Sequence, residues 1–211
     1  MKNFRTLKQN GQYELIIKKS SFICTLARTE TEEEAQQFID TLKKEHWKAN
    51  HNCSAYLIGE DGLIQRASDD GEPSGTAGVP MLEVLKKNKL QNVSAVVTRY
   101  FGGIKLGAGG LIRAYSSAVS ETLKELGIVE KRRHQFIQIT VSYPMSGKLQ
   151  NALHQSTYRL ESIGYTDQVT FTCLVESERI HTFEKEITEW TSAQFSQSNG
   201  AEAWVEVPID V

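Results

Sequence analysis

The chain has 211 residues, enough for one large domain or two small ones with a sizeable core. It is 39% hydrophobic and 24% charged, as in ordinary soluble proteins; no apolar run approaches a membrane span, and the N-terminal MKNFRTLKQNGQYE holds no hydrophobic signal core. The net charge of −2 hides an asymmetry: residues 1–133 hold 20 Lys and Arg against 16 Asp and Glu, which leaves 4 against 10 in residues 134–211, so phosphate chemistry belongs to the first part.

Tyr13–Lys18 and Phe22–Ala27 read as strands, each apolar and β-branched between polar breaks. Thr31-x-x-Glu34 is a capping box that opens a helix to about His46, with Ala35, Phe38, Ile39 and Leu42 on its apolar face. Asn52–Ile58 and Leu63–Ala67 form a hairpin across Gly59-Glu60-Asp61-Gly62, where Asp-Gly is a turn signal. A polar loop, SDDGEPSGTAG, covers Ser68–Gly78, and Pro80 suits the first turn of a short helix to about Lys87. The strand Val93–Thr98 enters a glycine-rich loop, and a helix from about Gly110 to Leu126 follows, ended by Gly127.

The charged run Glu130-Lys131-Arg132-Arg133 has no periodicity and is placed as a domain boundary, between a domain of residues 1–130 and another of residues 134–211. Beyond it come a strand (Phe136–Ser142), a helix (about Met145–Gln155), strands at Arg159–Tyr165 and Val169–Glu176, a helix (Ser177–Trp190) and a strand (Ala203–Val207). The order βαββαβ is the ferredoxin-like split unit, so the fold class is α+β.

The stretch VTRYFGGIKLGAGGLIRAYSS carries the most information. Gly102, Gly103, Gly107, Gly109 and Gly110 fall within nine positions, flanked or interrupted by Arg99, Lys105 and Arg113. Glycine lets another surface approach the backbone N–H groups, and a helix starting at once aims its unpaired N–H groups and dipole into the same space. That pattern reads as a phosphate site, although it lacks the Gly-Lys-Ser/Thr of a P-loop and the spacing of a dinucleotide fingerprint. Tyr100 and Phe101 at its mouth either stack on bases or plug the core.

Loop 68–78 holds Asp69, Asp70, Glu72, Ser74 and Thr76 and reads as a recognition loop. Its three carboxylates are the chain's one candidate group for Mg²⁺, but their spacing is not that of an EF-hand, and no metal is assigned. His51 and Cys53 share a strand face without a third, orienting group, so no nucleophilic pair is assigned; His51 and Asn52 join the recognition loop as polar lining. Cys24, Cys53 and Cys173 lie far apart and in no CxxC spacing, which points to a reducing cytoplasm rather than a disulfide framework.

RYFGGIKLGAGGLIRAYSSA (99–118), SDDGEPSGTAG-x-P (68–80), HNCSAY (51–56) and SSFIC (20–24) together resemble the IMPACT / YigZ family. The resemblance implies an N-terminal α/β domain like the second domain of ribosomal protein S5. It implies a C-terminal ferredoxin-like domain like domain V of elongation factor G. Eukaryotic members restrain an amino-acid-starvation (stress-response) kinase pathway and so affect translation initiation, through a partner-binding domain of another type that these residues do not include. The resemblance carries over no catalytic residue and no cofactor.

These readings combine into an expectation: a cytoplasmic, non-enzymatic regulator linked to translation that binds RNA or a ribosome-associated surface through the basic glycine loop 99–113. The acidic C-terminal domain would meet a protein partner, and no membrane is involved. Two rivals use the same residues. One is a small-molecule phosphate- or nucleotide-binding enzyme of the S5-fold kinase type, and the other is a purely protein-binding module. If the two loops end side by side, the acidic loop neutralises Arg99 or Lys105 when no ligand is bound.

Overall fold

Alternating apolar residues in the first part of the chain build one antiparallel sheet. Strands β2 (Gly11–Ile17) and β3 (Ser20–Arg28) form a hairpin that turns at Lys18 and Lys19, both at positive φ. β4 (His51–Ile58) and β5 (Ile64–Ser68) form the hairpin expected across Gly59–Gly62. β6 (Val93–Tyr100) lies between β3 and β4, giving the order β2-β3-β6-β4-β5 with all pairs antiparallel. This is the computed structural model of the chain, which describes residues 2–209.

A strand exposes opposite faces at successive residues, and here both faces of the centre are covered. Phe22, Cys24, Leu26, Cys53, Ala55, Val93, Ala95 and Val97 pack against helices α2 (Gly78–Lys87) and α3 (Ala108–Leu126). Tyr56, Ile58 and Val96 on the other face pack against Ala35, Ile39 and Leu42 of α1 (Glu32–Glu45). This explains why β6 shows continuous burial rather than alternation. Each large apolar side chain so buried contributes about 1.5–3 kcal/mol. The Thr31 cap forms as expected, its Oγ1 accepting from Glu34 N at 3.1 Å, while the Glu34 carboxylate reaches one residue beyond the cap to accept from Glu30 N at 2.7 Å.

By contact density the chain divides into residues 3–131 with 206–209, and residues 132–205. In the first unit a strand not foreseen from the sequence, β1 (Phe4–Leu7), pairs with the opening residues of β7 (Ile128–Val141). The second unit continues β7 and adds α4 (Tyr143–Gln155), β8 (Arg159–Tyr165), β9 (Val169–Glu176), α5 (Ile180–Thr191) and β10 (Ser196–Ile209). Its sheet runs β10-β7-β9-β8, the ferredoxin-like arrangement. Ile137, Ile139 and Val141 alternate inward with Val169, Phe171 and Cys173, under Leu149, Leu153, Phe183 and Ile187. The protein is therefore α+β, with an α/β layer structure followed by a ferredoxin-like unit.

Glu130–Arg133 lies in the interior of β7, where its charges find partners on neighbouring strands: Arg132 with Glu176 at 3.7 Å and Arg133 with Glu202 at 3.8 Å. Three sequence expectations need correction. β10 is far longer than Ala203–Val207, because its polar residues occupy an exposed surface that apolar alternation does not mark. β6 extends through Arg99 and Tyr100, so the glycine loop begins at Phe101. α3 starts at Ala108, which puts Gly109 and Gly110 in its first turn rather than in the loop.

Candidate functional site

Sheet register brings the two loops together. Across from Arg99 lie Phe22 on β3 and His51 on β4. His51, Cys53, Phe22 and Arg99 thus share the face covered by α2 and α3, while Asn52 and Tyr100 point to the α1 face. The acidic loop leaves β5 beside β4, and the glycine loop leaves β6, so both border the same end of the sheet.

Each carboxylate of the acidic loop is committed to the protein. Asp69 accepts from Gly75 N (2.8 Å), Ala77 N (3.0 Å) and Gly78 N (2.9 Å), supplying from a distance the cap that Ala77 cannot give α2. Burial works to raise its pKa, but the N–H donors of Gly75, Gly78 and Ala77 outweigh burial and hold it below the ordinary value. Asp70 behaves alike: burial is overcome by the Lys43 ammonium at 2.8 Å and the Asn52 N–H at 2.7 Å. Glu72 is the deepest of the three. Its Oε1 accepts from Arg99 Nη1 at 2.6 Å and from the Tyr115 hydroxyl at 2.7 Å, and its side chain is 3% exposed. The expected neutralisation of Arg99 by the acidic loop is therefore present. Thr76 is buried, its hydroxyl bonded to Pro73 O, and Ser74 is exposed. With three carboxylates tied to separate donors, no group of His, Cys, Asp or Glu is placed to hold a metal among the described residues.

Arg99 is buried, with its guanidinium over the rings of Phe22 (5.3 Å) and Phe101 (5.6 Å). Its Nε is also buried and finds no hydrogen-bond partner among the described residues. Cys53 is no nucleophile: its thiol donates to Asp69 O at 3.0 Å, and burial pushes its pKa up to about 12. Burial, then the neighbouring Cys53 and Glu72, also raise the Tyr115 pKa, so its hydroxyl stays a donor. His51 turns Nδ1 to Asp70 O at 2.9 Å, and its Nε2 stands 3.8 Å from Glu72 Oε2.

A cleft of about 460 Å³ opens beside this network, lined by Asn50, His51, Glu72, Pro73, Arg99, Phe101, Lys105, Leu106, Gly107, Ala108 and Leu111. Phe101 is 46% exposed at the rim. α3 begins here with no side-chain cap, because Gly107 (φ 71°) holds the N-cap position. Its first N–H groups and dipole border the cleft beside Lys105. A second cleft of about 200 Å³ lies on the far side of Leu106, lined by Ile17, Lys18, Gly110, Arg113, Ala114 and Ser117.

The structure thus gathers His51, Glu72, Arg99, Phe101, Lys105 and Gly107 around one cleft. Arg113 is in the second cleft, with its guanidinium folded back toward Gly109. Tyr100 is hydrogen-bonded to His46 Nδ1 at 3.0 Å and Asn52 to Thr98 at 2.7 Å, both away from the cleft. Gly102 serves packing: a Cβ there would lie 2.1 Å from the backbone of Lys19. Gly103 needs its positive φ of 85°. Sequence reading missed Lys18 and the polar role of Tyr115. The signal for Tyr115 was a tyrosine on an otherwise apolar helix face, whose buried hydroxyl requires a partner.

Comparison with known proteins finds matches along most of the chain. Residues 18–123 match the Impact N-terminal domain, and residues 139–194 match a domain of unknown function (DUF1949). The chain is 50% identical to the IMPACT family member YvyE of Bacillus subtilis over 99% of its own length and 96% of that protein's. An IMPACT family member of Haemophilus influenzae is 38% identical over 86% of this chain and 89% of its own. A solved structure, described only as that of a hypothetical protein, superposes with a TM-score of 0.60 at 30% identity, covering 93% of this chain and 97% of that one. No helix among the described residues is long and apolar enough to cross a membrane.

Proposed function

The chain belongs to the IMPACT family, and within it we propose a non-catalytic regulator linked to translation that binds single-stranded RNA, free or on a ribosome-associated surface, through the cleft at the end of β6. One observation carries the reading: Lys105 and the uncapped N-terminus of α3 meet in a single cleft with an exposed aromatic ring at its rim. Cations and helix N-terminal amides hold phosphate, and Phe101 offers a face for stacking a base. Lys18 and Arg113 in the neighbouring cleft would hold a further phosphate of the same strand. The buried thiols Cys24, Cys53 and Cys173 are all unpaired, which fits work in a reducing cytoplasm, and the acidic second unit would meet a protein partner.

Fluorescence anisotropy with a labelled oligoribonucleotide across a salt series tests this. Affinity should fall with salt at a slope of about −0.7 for each phosphate contacted, and Lys105→Ala should flatten it by roughly that amount. Wild-type protein without salt-dependent binding sinks the reading. A second reading, a small-molecule phosphate site, is favoured by the cleft volume of about 460 Å³, a size that suits one mononucleotide. Thermal shift on adding mononucleotides, without RNA binding, would select it.

A further inference from the structure

The β2–β3 hairpin turns on residues that oppose the turn. Ile17 pairs with Ser20, so Lys18 and Lys19 are its two central residues, and both have positive φ, 46° and 65°. A two-residue hairpin with this backbone favours Asn-Gly: glycine has no Cβ to clash, and asparagine tolerates the left-handed region. Lysine has neither advantage. The turn is nevertheless held closely to the glycine loop. A Cβ on Gly102 would stand 2.1 Å from the Lys19 carbonyl, and Gly102 N donates to Ser20 Oγ at 3.1 Å. Both lysine side chains are exposed, and neither has a hydrogen bond or ion pair among the described residues. No contact of the lysines within the protein offsets the strain.

What Lys18 does reach is the cleft of about 200 Å³, which it lines together with Arg113 and Ser117. Two cations and a hydroxyl are donors suited to a phosphate. Leu106 borders both this cleft and the larger one that holds Lys105 and the start of α3. We propose that Lys18 is a ligand-binding residue kept in a strained turn, and that it makes the smaller cleft a separate phosphate subsite. The ligand is then a strand that carries at least two phosphates, one on each side of Leu106. The proposal rests on the RNA reading above and deepens it. Strained backbone persists at binding sites, and here a position that suits glycine carries an ammonium instead. The contact of Gly102 with the turn fixes this subsite against the glycine loop.

The experiment varies this one position and reads each protein twice, by anisotropy with a labelled oligouridylate across a salt series and by thermal melts. Lys18→Gln removes the charge and keeps the strain. Its salt slope should shrink by about 0.7, one phosphate, which amounts to about fivefold in affinity at about 0.1 M salt. Its melting temperature should match that of wild type. Lys18→Gly removes charge and strain together. It should lose the same slope and melt higher by about 2–4 °C. Lys18→Arg keeps the charge and should bind as wild type does. A slope unchanged in both Lys18→Gln and Lys18→Gly overturns the proposal and leaves the larger cleft to be judged by Lys105→Ala. A Lys18→Gly protein that melts no higher than Lys18→Gln overturns it as well, because the turn is then not strained. Wild-type protein without salt-dependent binding removes the RNA reading and this proposal together.

Discussion

The loops that border the cleft are built in opposite ways. Loop 69–77 spends every carboxylate on the scaffold: Asp69 on the start of α2, Asp70 on Lys43 and the β4 backbone, Glu72 on Arg99 and Tyr115. The glycine loop is tied at its base, by Phe101 N to Asn50 and Gly102 N to Ser20 Oγ, and leaves Phe101, Ile104 and Lys105 exposed. The helices they lead into differ in the same sense. α2 has its first N–H groups capped by Asp69, and α3 starts with no side-chain cap. An acidic loop can thus serve as a fixed wall, and a glycine loop as the open face a ligand meets.

The sharpest way to break this contrast is to cut the wall. Glu72→Ala leaves the Arg99 guanidinium buried without its carboxylate and should destabilise the protein by about 3–5 kcal/mol, read by urea unfolding. A loss under about 1 kcal/mol would mean that the ion pair is not the anchor described here. Gly102→Ala should cost next most, about 1–3 kcal/mol, because its Cβ collides with the Lys19–Ser20 peptide and backbone must move. That result would mark the base of the glycine loop as fixed; a neutral outcome would extend its freedom to Gly102.

Acid should loosen the wall before the open loop. Asp69 and Asp70 have folded-state pKa values below their ordinary ones, so each contributes stability above the ordinary Asp value of about 4 and loses it as pH falls through the lower folded value. Thermal melts from pH 7 to pH 2 should show this decline, and Asp69→Asn with Asp70→Asn should flatten it while lowering stability at pH 7. The smallest stability effect belongs to Lys105→Ala, within about 0.5 kcal/mol of wild type. Its consequence should appear in ligand affinity alone, and a large drop in melting temperature would show that the open loop is structural after all.

Much of the architecture was legible because it is local. The Thr31 cap, the end of α3 at Gly127, and the limits of β8 and β9 follow from propensity, turn residues and alternation. The meeting of both loops was legible too, since each follows a strand and precedes a helix. What stayed hidden depends on partners far along the chain. Arg99 read as an exposed phosphate ligand because nothing local shows that Glu72 lies against it. That Glu130–Arg133 runs inside a strand stayed hidden because the carboxylates that meet this run, such as Glu176 and Glu202, come many residues later. His51 read as generic lining, because nothing local shows that its Nδ1 meets Asp70 O or that Glu72 stands beside its Nε2.

The division of the chain also bears on its synthesis. The first unit is closed by residues 206–209, where Glu206 is gripped by Arg28 at 2.6 Å and Ile209 packs on the core of β2, β3 and α3. A ribosome adding about 5–20 residues per second must make residues 132–205 first, a delay of roughly 4–15 s. Through that interval the nascent chain holds Arg28 without the Glu206 carboxylate and a core without Ile209. The ferredoxin-like unit thus interrupts the first unit in sequence, and the first unit gains these contacts only once residues 206–209 have been made.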